Sequence, residues 1–273
     1  MQKTFDTPGP TSLYVELGSG DLHIQAEDVT ETTVTVDGNK AEDVIVEQRG
    51  NQIVVLAAQR KTGFFGSSSD LTVTAVLPTD SELSTKTGSA DLDASGRLGT
   101  AKIKSGSGEV RIDEIGADAL VETGSGDIEI DSVLGDLRVK TGSGDVEVDR
   151  LAGSAAISTG SGDVEIGTSH DHVQMKSGSG DLRIRDAHGD VALTTGSGDL
   201  TVDVMHRGGL QAKNASGDIR VGIPANVPVW TDISCVSGSV TSNLAGAGQP
   251  REGQDYIELR ARTVSGDIVL DQL

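Results

Sequence analysis

Apolar and polar residues alternate singly along most of this chain, in short runs that return at a fixed interval. Within residues 146–159 the apolar positions are Val146, Val148, Leu151, Ala155 and Ile157, and Thr159 closes the run. The same order recurs as Leu182, Ile184, Ala187, Val191, Leu193 and Thr195. Alternation by twos is the period of a strand, not of a helix. Each unit therefore holds two short strands and two corners. One corner carries a phrase such as "TGSGDVEVD" (residues 141–149), repeated as "SGSGEVRID", "TGSGDIEID", "TGSGDVEIG", "SGSGDLRIR" and "TGSGDLTVD".

Counted from the acidic residue of the phrase, the units start at Asp91, Glu109, Asp127, Asp145, Asp163, Asp181 and Asp199, each 18 residues after the last. The next equivalents are Asp218 after 19 residues, Ser239 after 21 and Asp267 after 28, so the array loosens toward its end. Two strands cannot bury their inward residues alone. Successive coils must stack in parallel ladders about 4.8 Å apart around a thin continuous core. The predicted fold is all-β: a parallel β-solenoid with two strands per 18-residue coil. Gly108, Gly126, Gly144, Gly162, Gly180 and Gly198 sit where a corner needs positive φ or close backbone approach. Ser105, Thr123, Thr141, Thr159, Ser177 and Thr195 form an inward hydroxyl column that can bond along itself or to the corner, continued by Asn214 and Cys235.

Before Asp91 the phrase occurs once, in "LYVELGSGDLHI" (residues 13–24), and then gives way to alternating runs "TTVTVD", "QIVVLA" and "DLTVTAVL" separated by turn-rich segments. This divides the chain into residues 1–80, an N-terminal β-rich cap containing one solenoid-like coil, and residues 81–273, the repeat domain with irregular C-terminal coils. The cap hides the open edge of the first coil. Trp230 is expected to cap the other end.

The irregular β-rich N-terminal part, the "DLTVTAVLP" strand ending at Pro78 and the serial "TGSGD" phrases together resemble the bacterial β-strand-repeat family of putative adhesins, also called the Toastrack domain. The resemblance covers nearly the whole chain. It implies a parallel β-solenoid with no known catalytic residues, in a family often associated with bacterial envelope-stress proteins of the phage-shock type.

Composition narrows the function. Aromatic residues are only 2% of the chain, so the core is aliphatic. The formal net charge of −20 opposes binding to nucleic acid and to anionic bilayers, and no basic stripe stands out among the 22 Lys and Arg residues. No apolar run approaches the roughly 20 residues of a membrane-spanning helix, so no direct membrane insertion is expected. Cys235 is the single cysteine, which excludes an internal disulfide and fits a cytoplasmic location.

Chemistry concentrates at few positions. His170, His188 and His206 fall at the same position of consecutive coils, with His172 two residues after the first, and Asp171, Asp186 and Asp190 lie nearby. Imidazole and carboxylate donors suit Zn²⁺ or another divalent ion, although ladder spacing asks for rotamer adjustment and the 19-residue coil blurs the register of His206. The stacked Asp column invites Ca²⁺, but the glycine and aspartate spacing matches calcium-binding solenoids only in part. The plainer reading makes both columns solvated and structural, with no cofactor. Phe64 and Phe65, two of three phenylalanines, are either a lid on the solenoid end or a partner anchor. No nucleophile elbow, dinucleotide fingerprint or His-Glu-x-x-His motif occurs, and scant aromatics argue against a glycan cleft. The chain therefore reads as a noncatalytic scaffold or protein-interaction module, linked through its resemblance to envelope stress or surface adhesion, with an unidentified protein partner and a homodimer through the solenoid ends as the self-association the architecture allows. A divalent-metal-binding solenoid and a polysaccharide-acting enzyme are the alternatives.

Overall fold

The computed structural model describes residues 1–57, 71–245 and 256–273. Phe64 and Phe65 lie outside the described residues. Among those described there is no α-helix, only strands, turns and one 3₁₀ turn at Ala41–Asp43. The chain divides into two compact units, Met1–Gly135 and Asp136–Leu273.

Within the second unit each coil contributes one strand to each of two sheets. Opening strands Val146–Leu151, Val164–Ser169, Leu182–Ala187, Leu200–Met205 and Ile219–Ile223 lie side by side in one sheet. Closing strands Leu137–Thr141, Ala155–Thr159, Val173–Ser177, Val191–Ser197 and Gly208–Ser216 form the other. All neighbours are parallel and in the expected register: Val146 faces Val164, Val164 faces Leu182, and Ile157 faces Met175. The inward positions Val146, Val148, Leu151, Ala155 and Ile157 are at most 3% exposed. Full burial of an aliphatic side chain contributes roughly 1.5–3 kcal/mol, so the stacked apolar columns drive the fold.

The final coils depart from serial order. Ile257–Ser265 inserts between Gly208–Ser216 and Val229–Ser237, and Ile268–Gln272 inserts between Ile219–Ile223 and Val240–Ser242. The side chains explain the exchange. Ile257, Leu259, Ala261, Ile268 and Leu270 offer a full inward set and are at most 1% exposed. The strand Val229–Ser237 has no fully buried residue, which a coil covered on one side tolerates. Trp230 does not cap this end. It stands 52% exposed opposite Glu258, with the Arg260 guanidinium 5.7 Å from its ring centroid, because ladder alternation puts it on the outer face.

In the first unit the strands Ser12–Leu17 and Gly20–Glu27 make one coil, which pairs in parallel with Glu82–Thr87 and Asp91–Leu98. On its other side lie Gln52–Leu56 and Leu71–Pro78, also parallel. Antiparallel strands finish that end: Ile45–Arg49 on Gln52–Leu56, and Gln2–Asp6 on Glu31–Gly38, itself on Leu71–Pro78. The sequence order of coils is thus broken in both units.

Candidate functional site

The two corners of a coil have different physics. At the first corner, glycine is required by contact. A Cβ on Gly162 would lie 2.1 Å from the Gly144 carbonyl oxygen, and one on Gly180 would lie 2.0 Å from that of Gly162. Close approach, not positive φ, accounts for these two. The preceding hydroxyl column closes the corner: Gly162 and Gly180 donate their N–H to Thr159 Oγ1 at 2.9 Å and Ser177 Oγ at 2.7 Å. Asn214 and Cys235 continue this column with a change of role, donating to the carbonyls of Gly217 at 2.7 Å and Gly266 at 3.2 Å.

The acidic residue after the corner is equally occupied. Asp145 Oδ1 accepts the Asp163 N–H at 2.8 Å, Asp163 that of Asp181 at 2.8 Å, and Asp181 that of Asp199 at 2.7 Å. Each carboxylate thereby offsets the repulsion of its neighbours with an amide dipole from the next coil. Arg220 adds bonds to Asp199 Oδ2 at 3.1 Å and Asp218 Oδ2 at 2.6 Å. These carboxylates form a structural ladder.

The second corner varies more in sequence, although a Cβ on Gly189 would also lie close to backbone, 2.6 Å from the Asp171 carbonyl oxygen. Ala117 and Asp171 stand where other coils have Gly135 and Gly189. Here the backbone ladder runs one residue past the strands: the N–H groups of His170, His188 and His206 donate to Leu151, Ser169 and Ala187 at 3.0, 2.9 and 2.9 Å. His206 is therefore in register, and the extra residue of its coil enters after it. The rings of His170 and His188 are 5.2 Å apart and tilted by 31°, whereas those of His188 and His206 stack at 4.2 Å and 4°. Asp186 Oδ1 lies 2.6 Å from His206 Nε2 and 3.5 Å from His188 Nε2. Donor atoms of Asp186, His188 and His206 all fall within 4.8 Å of one another, and no other such cluster of His, Cys, Asp and Glu occurs among the described residues.

His170 and His172 are not in that cluster. The N–H of exposed His172 donates to Asp171 Oδ1 at 2.7 Å, and its carbonyl accepts from Ala155 at 2.9 Å. Asp171 also accepts from Ser154 Oγ at 3.3 Å, and Asp190 accepts the Gly209 N–H at 2.7 Å, so Asp186 is the neighbouring carboxylate that meets the imidazoles. A groove of about 770 Å³ runs beside His188, lined also by His172, Asp190, Arg207, Tyr256 and Arg260.

The outer faces of the second unit differ in charge. On the opening-strand sheet Arg185 pairs with Glu165 at 2.9 Å and Asp149 at 3.2 Å, and Arg183 with Asp203 at 2.7 Å. Hydrogen bonding to Asp203 raises the Arg183 pKa. On the closing-strand sheet a column runs Lys140, Ser158, Lys176, Thr194, Lys213, Arg262 through consecutive ladder partners. Ser158 and Thr194 hold the lysines about 10 Å apart, which dilutes like-charge repulsion. Exposed Arg138 and Arg260 lie on the same face; Arg260 is paired with Glu258 and Arg262 with Asp232 at 3.2 Å, so the uncompensated charge of the column belongs to the lysines. Among the described residues, neither Lys176 nor Lys213 has a carboxylate within ion-pairing distance. This corrects the expectation that no basic stripe exists. Coil stacking assembles the stripe from residues far apart in sequence, where no local run of charge announces it.

This architecture, two parallel sheets built from alternating strands of short glycine-cornered coils, defines an all-β solenoid of the Toastrack type. The family model Toastrack DUF4097 matches residues 11–176 and again residues 121–271, and the chain belongs to that family. Among curated proteins, none matches the sequence. Similar solved structures include a putative lipid binding protein from Parabacteroides distasonis, at 17% identity over 99% of this chain and 96% of that one with a TM-score of 0.48. A putative adhesin from Bacteroides fragilis is 14% identical over 99% of this chain and 97% of that one, with a TM-score of 0.40. A putative adhesin from Parabacteroides merdae is 14% identical over 100% of this chain and 95% of that one, also at 0.40.

Proposed function

We propose that the protein is a noncatalytic scaffold that binds a protein partner across the closing-strand face of its second unit, and that the partner surface is acidic. The observation that carries this reading is the exposed Lys140, Lys176, Lys213 column on a chain of net charge −20, two members of which have no carboxylate partner among the described residues. Cationic side chains spaced along a flat, rigid ladder steer and orient an anionic surface without needing a deep pocket. Membership in the Toastrack family supports a non-enzymatic interaction module. We place its work in bacterial envelope stress through that family, on the cytoplasmic side, a location that its single cysteine fits; an exported chain would instead do that work in surface adhesion.

The reading extends to a homodimer through the solenoid ends. Val236 and Val240 at the final coil are 77% and 50% exposed, on strands that pair on one side only among the described residues. The main test is charge reversal. Lys176→Glu with Lys213→Glu is expected to abolish capture of the partner that wild type retains at low salt, with unchanged far-ultraviolet dichroism. Retention of that partner by the folded double variant would contradict the reading.

A further inference from the structure

The cluster at the second corner goes beyond an interaction scaffold. We propose that Asp186, His188 and His206 form a Zn²⁺ site, with one carboxylate oxygen and two imidazole nitrogens as ligands and an open position for water. The donor set is one that zinc accepts, and zinc with Zn–N distances near 2.0 Å draws tetrahedral ligands to about 3.4 Å from one another. The donors already lie within 4.8 Å. Closing the difference requires the two imidazoles, now parallel within 4°, to tilt toward a common point, and the three side chains have surface room for it, His188, His206 and Asp186 being 29%, 38% and 40% exposed.

The backbone is set for this. Both histidines are anchored through their N–H groups in the parallel ladder, and Arg207 Nε donates to the His188 carbonyl at 2.9 Å, fixing the corner from its other side. A plain ion pair explains only half of the arrangement. Asp186 Oδ1 meets His206 Nε2 at 2.6 Å, yet His188 stacks flat on His206 at 4.2 Å and shares the same oxygen at 3.5 Å. One carboxylate oxygen is poorly placed to serve N–H donors on both rings. A divalent cation is the species that all three groups can ligate together, and the protein's charge of −20 raises its local concentration. His170, tilted away on the far side of His188, and His172, turned to the groove side, are outside the site.

The test is calorimetric titration of untagged, chelator-stripped protein with zinc chloride. Wild type is expected to bind one Zn²⁺ per chain, with affinity falling at least about tenfold in His206→Ala and in Asp186→Asn, as removal of ligand-shell groups does elsewhere. His172→Ala is expected to bind as wild type. Absence of zinc binding by wild type, or wild-type affinity in folded His206→Ala, would overturn the assignment. Should a variant fail to fold, carbethoxylation of wild-type histidines mapped by mass spectrometry decides the matter: zinc is expected to protect His188 and His206 but not His23 or His172. Equal modification with and without zinc would overturn the site. Calcium chloride is the control, and protection by it equal to that by zinc would overturn imidazole ligation.

Discussion

The two corners of a coil in the second unit differ in sequence and in how they are held. At the first corner Gly162, Thr159 and Asp163 each have a structural partner. Gly162 lies against the carbonyl of the coil before it, Thr159 binds the Gly162 amide, and Asp163 binds the amide of Asp181. At the second corner the backbone runs on in its ladder, but side chains such as His170 and His172 are exposed and outside the Asp186, His188 and His206 cluster. The first corner therefore keeps a narrow set of phrases, with exceptions such as Ala90 in the first unit and Asn214 and Cys235 near the end of the array. The second tolerates variation, and new chemistry can enter a coil there without disturbing the stack.

Substitutions should separate the two corners by size of effect. The largest belongs to Gly162→Ala, because the new methyl would sit 2.1 Å from backbone that cannot move without shifting the neighbouring coil. A loss of about 4 kcal/mol is expected in urea unfolding, at the upper end for single substitutions. A loss under about 1 kcal/mol would show that the corner opens easily. Next comes Thr159→Val, which keeps the buried volume and removes the acceptor for the Gly162 N–H, at about 1–2 kcal/mol. By contrast, His170→Ala at the second corner should change stability by less than about 0.5 kcal/mol.

The smallest effect concerns acid. Hydrogen bonds from the Ser239 N–H and Oγ hold the Asp267 carboxyl below the ordinary carboxylate value. A depressed folded-state pKa gives stabilisation that is present above the unfolded value and lost as pH falls through the folded one, here below about pH 4. Protection of the Ser239 amide, measured against its intrinsic exchange rate at each pH, should fall across that window. In Ser239→Ala the Asp267 titration, followed by carbon NMR, should move upward. An unchanged titration would remove Ser239 Oγ as a cause.

Much of this was legible in the sequence because its information is periodic. A strict interval of 18 residues fixed the register, and Val146 does face Val164. Thr159 and its equivalents could be placed inside because they end an alternating run. Three things escaped, each for a physical reason. The exchange of the last coils depends on comparing how well residues 229–242 and 257–272 fill a core, a competition that no spacing reveals. The basic stripe is composed of single lysines about two coils apart. The histidine column was visible, but Asp186, Asp171 and Asp190 were equivalent until backbone amides claimed the latter two. Trp230 was misjudged because a large apolar residue near an end suggests a lid, whereas alternation had already assigned it to the outer face.

The most direct test is an alanine scan of one whole coil, residues 159 to 176, read by urea unfolding. The account predicts two classes: marked losses at Thr159, Gly162, Asp163 and the inward Val164, Ile166, Val173 and Met175, against near-neutral values at Ser169-adjacent His170 and at His172. Losses at His170 and His172 equal to those at Gly162 and Asp163 would contradict it, since both corners would then be bound by the same constraints.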